Sequence, residues 1–366
     1  MAQELEYKKS LSSNLSNKDS FMNAYLFHGP KDIRYEKIPI PEISENEMLV
    51  KVETVLTCGT DLKTYERGHP VLIKSTPSLF GHQFSGTIVK VGEKVKGFHV
   101  SQNVIPINSA PCFNCRFCIK ERFNLCENII FLNGAYAEYV VIPERIVKHN
   151  TYEIPKGVNF DSAAALESIA VVLHGLEKSE VYKGKTICII GTGSIGLLFC
   201  AIANLRGAKV ISIGRKENKL KIAKELGASF TLNKSNFSTK DELKLGLRNL
   251  IGDDPEIVIE AAGHPESWQL ALELVRKGGL VNFFGGCKKD TKIEVDTYRL
   301  HYEELKLIGT FHHTPYYIKE ALNLLGEFQS KISRKIITHS FLLKELEKAF
   351  LLQKSGEVIQ AAIKPQ

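Results

Sequence analysis

Between Asn23 and about Val147 the apolar positions fall in short alternating or β-branched runs, at 49–55, 85–91 and 139–142, broken by glycine and proline. A period of two puts alternate side chains on one face of a strand, so this stretch predicts a mainly-β region with long loops and few helices. The pattern changes after Asp161. From Ser162 to Leu176 apolar residues recur at helical spacing, with Asp161 placed to cap the helix. Beyond Lys185 strand-like and helical runs alternate: 186–190, 195–205, 210–213, 219–226. Further strands are expected at 257–260, 280–284 and 305–308, with a helix at 267–275 between the first two. Strands joined through helices run parallel, so the expected fold class is α/β, a doubly wound parallel sheet beside a mainly-β region.

The chain has 366 residues, 43% hydrophobic and 24% charged, which is enough for two packed domains. Residues 1–21 are rich in Ser, Asn and Lys and lack periodicity, so they are expected to form a disordered extension, with Met22 a candidate start. The formal charge of +7 is scattered among acidic residues, which argues against nucleic acid as a partner. No apolar run approaches the roughly 18 residues of a membrane span, and no secretory core opens the chain. The expectation is a soluble, cytoplasmic protein with no membrane partner. Four of the eight cysteines fall between 112 and 126, a clustering that suits metal binding better than a disulfide framework.

Gly191-Thr192-Gly193-Ser194-Ile195-Gly196 is a G-x-G-x-x-G between an expected strand and an expected helix. In a Rossmann unit Gly191 would allow the tight turn, Gly193 the approach of a pyrophosphate, and Gly196 close packing of helix on strand. Ser194 and Ile195 would then open a helix whose amino terminus faces the phosphates. The next strand ends in Gly214-Arg215-Lys216, without the acidic residue that holds the ribose 2′-hydroxyl of NAD. Arg215 and Lys216 would instead suit a 2′-phosphate, and Lys219 would join Arg215 if both lay on one helical face, so NADP is expected over NAD.

Cys112, Cys115, Cys118 and Cys126 follow the spacing C-x2-C-x2-C-x7-C, which lets four thiolates close a tetrahedron around one structural zinc. A redox pair or an iron–sulfur cluster are the alternatives. Cys58, in Thr57-Cys58-Gly59-Thr60-Asp61, and His82, in Gly81-His82-Gln83, are further metal-ligand candidates. With Ala164-Ala165-Leu166-Glu167, the four-cysteine lobe and the glycine fingerprint, these segments stand in an order that resembles the zinc-containing medium-chain alcohol dehydrogenases. The resemblance runs from about Met22 to the carboxyl terminus and is strongest to the polyol, sorbitol and threonine dehydrogenase branch.

That resemblance implies a GroES-like catalytic domain at 22–169 completed by 309–366, a Rossmann domain at 170–308, and a homodimer or homotetramer. It implies two zinc ions per chain, the catalytic one held by Cys58, His82 and Glu167, with Asp61 supporting the histidine. Such a zinc would acidify an alcohol, Thr60 would carry the proton outward, and hydride would pass to the nicotinamide. The substrate is then a secondary alcohol, polyol or sugar-derived ketone. Three positions depart from the branch: Gln83 replaces a Glu at zinc, Lys63 a His in the proton path, and Ser168 a Pro after Glu167. A zinc-independent reductase on the same scaffold, or a nucleotide-binding relative without efficient catalysis, are the competing readings. His174 and His301 are expected to pack or hydrogen-bond. His312 and His313, adjacent in an extended segment, are expected on opposite faces and are assigned no metal.

Overall fold

A computed structural model describes residues 20–69 and 71–365 of the chain. Most of the expected disordered extension therefore lies outside the described residues. Its last residue is not an extension: Phe21 opens β1 (Phe21–Gly29), which pairs antiparallel with β2 (Asp32–Pro39), Phe21 facing Pro39. Met22 is buried against Ala24 and Ala137.

The mainly-β region contains β3 (Met48–Leu56), β4 (Phe84–Val91), β5 (Asn103–Pro106), β6 (Tyr139–Ile142) and β7 (Thr151–Glu153), with helix α1 (Gly59–Arg67) leaving the end of β3. A short helix, Phe160–Ala164, then leads into α2 (Leu166–Lys178). Its cap is Asn159, not the expected Asp161: Asn159 Oδ1 accepts from the Ser162 amide at 2.8 Å. Asp161 lies two residues too late to cap, and its carboxylate accepts from Thr54 Oγ1 at 2.7 Å and pairs with Lys364. α2 runs unbroken through Ser168, whose side chain is buried.

The second region follows strand by helix: β8 (Thr186–Ile190), α3 (Ser194–Leu205), β9 (Lys209–Gly214), α4 (Glu217–Glu225), β10 (Phe230–Asn233), α5 (Lys240–Ile251), β11 (Ile257–Glu260), α6 (Pro265–Leu274), β12 (Leu280–Phe283) and β13 (Lys306–Gly309). The sheet order is β10-β9-β8-β11-β12-β13 and every pair is parallel. β10 and α5 escaped the sequence reading because each carries little apolar signal: Leu232 is the buried residue of β10, and Leu243 and Leu247 those of α5.

The chain then returns to the first sheet through α7 (Pro315–Lys331), β14 (Ile337–Leu342), α8 (Leu346–Ser355) and β15 (Gln360–Lys364). β15 lies antiparallel on β3, Ala362 opposite Leu56, giving the order β7-β5-β4-β3-β15-β14 with β6 also on β3. Residues 166–176 of α2 are all buried. One apolar core joins them to Leu56 and Ile105 of the first sheet, Ile187 and Ile189 of the second, and Ile318 and Leu325 of α7. Each fully buried aliphatic side chain of this kind contributes about 1.5–3 kcal/mol, so α2 fixes how the two sheets face each other. Among the described residues no helix is long and apolar enough to cross a membrane.

Candidate active site

β8 has β9 on one side and β11 on the other, so successive crossovers leave it in opposite directions and open a crevice at the carboxyl edge. The glycine segment sits there. Gly191 turns with φ +115°, and a Cβ at Gly196 would lie 1.9 Å from the Gly191 carbonyl oxygen. A Cβ at Gly193 would meet nothing within 4 Å, so this backbone is open to a ligand. Gly193 caps α3, Ser194 and Ile195 begin it, and Ile195 also lines the cleft. At the end of β9, a Cβ on Gly214 would stand 2.6 Å from Thr192 Cγ2, which closes that position to a carboxylate side chain. Arg215 is exposed and makes no hydrogen bond or ion pair among the described residues. Lys216 is the residue before α4 and reaches the Ser355 carbonyl at the end of α8. Arg215 therefore precedes the helix, and the expected helical face shared with Lys219 is not formed. Lys219 lies in the first turn of α4, where burial and then Lys216 hold its ammonium below the usual lysine range.

Across the cleft, Cys58 caps α1 and is 8% exposed. Asp61, one turn on, accepts from the Cys58 amide at 3.0 Å and from the Tyr136 hydroxyl at 2.8 Å. Its other oxygen lies 2.9 Å from His82 Nδ1. A carboxylate only accepts, so Nδ1 carries a proton and Nε2 is the ring nitrogen left for a metal, which would displace any proton held there. Burial alone would lower the His82 imidazole, but the Asp61 carboxylate and the hydrogen-bonded Cys58 thiol hold it well above the usual value. Glu167 projects from the start of α2, and burial pushes its carboxyl up. It accepts from Gln83 Nε2 at 2.5 Å and Asn108 Nδ2 at 3.4 Å. Gln83 Oε1 in turn accepts from Gln360 Nε2 at 3.3 Å, which also donates to the Thr57 carbonyl at 3.0 Å. Gln83 thus turns an N–H, rather than its oxygen, toward Glu167.

The histidine pair corrects the sequence reading. His312 has φ +61°, a left-handed turn, and the His312 and His313 rings lie on the same side with centroids 3.9 Å apart. The ligand atoms of Glu167, His312 and His313 all lie within 4.8 Å of one another, a closeness that Cys58, His82 and Glu167 do not share as a set. Burial and the charge of His82 lower His312 to about 3, and burial with His312 takes His313 well below the usual range. His174 packs as expected: Nδ1 donates to the His312 carbonyl at 2.6 Å and the ring stacks on Tyr317. His301 is exposed against Tyr302. Thr60 lines the cleft, and Lys63 Nζ crosses it to the Gly286 carbonyl at 3.0 Å. Asn108 and Gln360 were missed from sequence. Their signal was present: each is a lone amide in an apolar run, a buried polar group that must find a partner.

Cys112, Cys115, Cys118 and Cys126 converge in the loop between the strands Ser109–Ala110 and Ile130–Phe131, all four sulfurs within 4.8 Å of one another. The Cys112 and Asn128 amides donate to Cys126 Sγ at 3.2 and 3.3 Å. Backbone N–H groups from Cys118 and Glu127 draw the Cys115 thiol down to about 6. All eight cysteines are free thiols, and the four-sulfur cage fits one tetrahedral zinc with no open position. At the cleft, Nδ1-protonated His82 and the adjacent Cys58 thiol fit a second zinc.

A dinucleotide crevice facing a buried Cys–His–Glu set, with a four-cysteine cage alongside, defines a zinc-containing oxidoreductase. Residues 44–155 match the alcohol dehydrogenase GroES-like domain and residues 194–327 the zinc-binding dehydrogenase domain. The chain is 30% identical to the sorbitol dehydrogenase of Bombyx mori, over 94% of this chain and 98% of that one. It is 28% identical to D-xylulose reductase A of Aspergillus oryzae, over 93% and 96%. Among solved structures, a zinc-binding dehydrogenase of Sinorhizobium meliloti 1021 bound to NADP superposes with a TM-score of 0.85 at 28% identity, covering 95% of this chain and all of that one. The chain belongs to the zinc-dependent medium-chain dehydrogenase family, on its polyol dehydrogenase side.

Proposed function

We propose that this protein transfers hydride between a secondary alcohol or polyol and NADP, with a catalytic zinc held by Cys58, His82 and Glu167. The observation that carries the reading is the opposition of those three side chains to the glycine turn at 191–196 across one cleft. Residues 170–308 serve the nucleotide, and residues 22–169 with 309–366 serve the metal and the substrate. Bound zinc supplies Lewis acidity that lowers the pKa of an alcohol. Asp61 fixes the His82 tautomer and orients Cys58 through its amide. Thr60 passes the alcohol proton outward, and Lys63 ties α1 to the nucleotide side of the cleft. The closed position at Gly214 and the unpaired Arg215 support NADP over NAD. The four-cysteine cage holds a second, structural zinc. Assembly as a homodimer or homotetramer in the cytoplasm belongs to the same reading.

Steady-state rates over a panel of polyols and secondary alcohols test it. NADP should be the better cofactor by kcat/KM, and Arg215→Gln should lower that value with NADP about 10- to 100-fold while sparing NAD, as expected for a lost charge-assisted phosphate contact. A clear NAD preference in the unaltered protein would sink the cofactor assignment. Near-normal turnover in Cys58→Ala would sink the metal assignment.

A further inference from the structure

Gln83, next to His82, carries no negative charge and turns its amide oxygen away from Glu167. Its nitrogen donates to Glu167 and its oxygen accepts from Gln360. His313, clustered with Glu167, is 2% exposed, and its Nδ1 is buried with no hydrogen-bond partner. The other ring nitrogen, Nε2, lies 2.9 Å from Asn108 Oδ1. Asn108 is itself oriented, because its Nδ2 donates to Glu167. Its oxygen can only accept, so His313 carries its proton on Nε2 and Nδ1 holds a bare lone pair. Metal-binding histidines have this arrangement: one nitrogen is tied to a carbonyl or carboxylate through its N–H, and the other is free for the ion. The left-handed turn at His312 brings the pair onto the Glu167 side.

We infer that His313, through Nδ1, is a further ligand of the cleft metal, supplying a neutral imidazole donor where Gln83 supplies none. The inference rests on the reading that Cys58, His82 and Glu167 hold that metal. Asn108 acts as a positioning residue, bridging Glu167 and His313 so that the two donors face one point. The wall that carries His313 leads directly into α7, whose Thr314 cap follows it in the chain. Donors for one ion would then come from distant parts of the chain: Cys58 and His82 from the loops around β3 and β4, His313 from the loop after β13.

Zinc per chain, measured on purified full-length protein after dialysis against a competing chelator, tests this without reference to activity. The unaltered protein should hold two zinc ions and Cys58→Ala one. His313→Ala should lose the second ion at chelator concentrations at least 10-fold lower than the unaltered protein tolerates, while the cysteine-cage zinc remains as evidence of folding. His313→Asn, which sets an oxygen near the place of Nδ1, should recover part of the affinity. With cobalt replacing zinc, the visible absorption of the cleft ion should change in His313→Ala. Asn108→Ala should weaken binding about 10- to 100-fold, the usual effect of removing a partner that orients a ligand. Unchanged affinity and an unchanged cobalt spectrum in His313→Ala, with KM for the alcohol raised, would make His313 a substrate contact and overturn the inference alone. Two ions retained in Cys58→Ala would overturn the underlying metal assignment instead.

Discussion

At Gly196 there is no room for even one carbon, because the obstacle at 1.9 Å is the Gly191 carbonyl, which is backbone and cannot swing aside. Gly196→Ala should therefore lower the melting temperature, by the equivalent of about 1–3 kcal/mol, and raise KM for NADP, since the turn that must shift is the one facing the phosphates. Differential scanning fluorimetry with and without the nucleotide separates the two effects. Lys219 supplies a pH-dependent counterpart. Its ammonium is held below the usual 10.5 by burial and then Lys216, so its charge is lost as pH rises before an ordinary lysine would lose it. NADPH affinity should fall on the alkaline side below pH 10.5, and Lys219→Met should flatten that slope in a titration of Kd against pH. The glycine and cysteine motifs were legible in the sequence because their constraints are local, spanning six and fifteen positions. Gln83 with Gln360 was not, because those partners are 277 positions apart and no spacing rule links them.

Among elements, the strands of the parallel sheet were readable wherever both faces are buried, as in β8 and β11, whose apolar runs match the observed bounds. They failed where burial is thin, as in β10 and α5. Helix starts were harder. Asn159 and Asp161 are both suitable caps by type, and the choice between them depends on Lys364, which draws Asp161 toward β15 from the far end of the chain. Asn159→Ala should cost about 1 kcal/mol, read as a lower urea midpoint, while Asp161→Asn should leave the cap bond intact. A cost at Asp161 equal to that at Asn159 would contradict this division of roles.

For the whole molecule, the order of segments gave the α/β class and the two-part plan, but not how the parts are sewn together. That depends on α2, buried along its length between the sheets, and on β15, which lies beside β3. The β3–β15 pairing also bears on the order of events during synthesis. While a ribosome is still making α8, Cys58 and His82 already exist, yet β3 has only β4 and β6 beside it and Gln83 lacks Gln360. The four-cysteine cage needs only residues 112–126 and their surroundings, so it can take its ion on the nascent chain. Gln83 gains its Gln360 partner only when the last strand docks, so zinc loading of the cleft is expected to lag that of the cage.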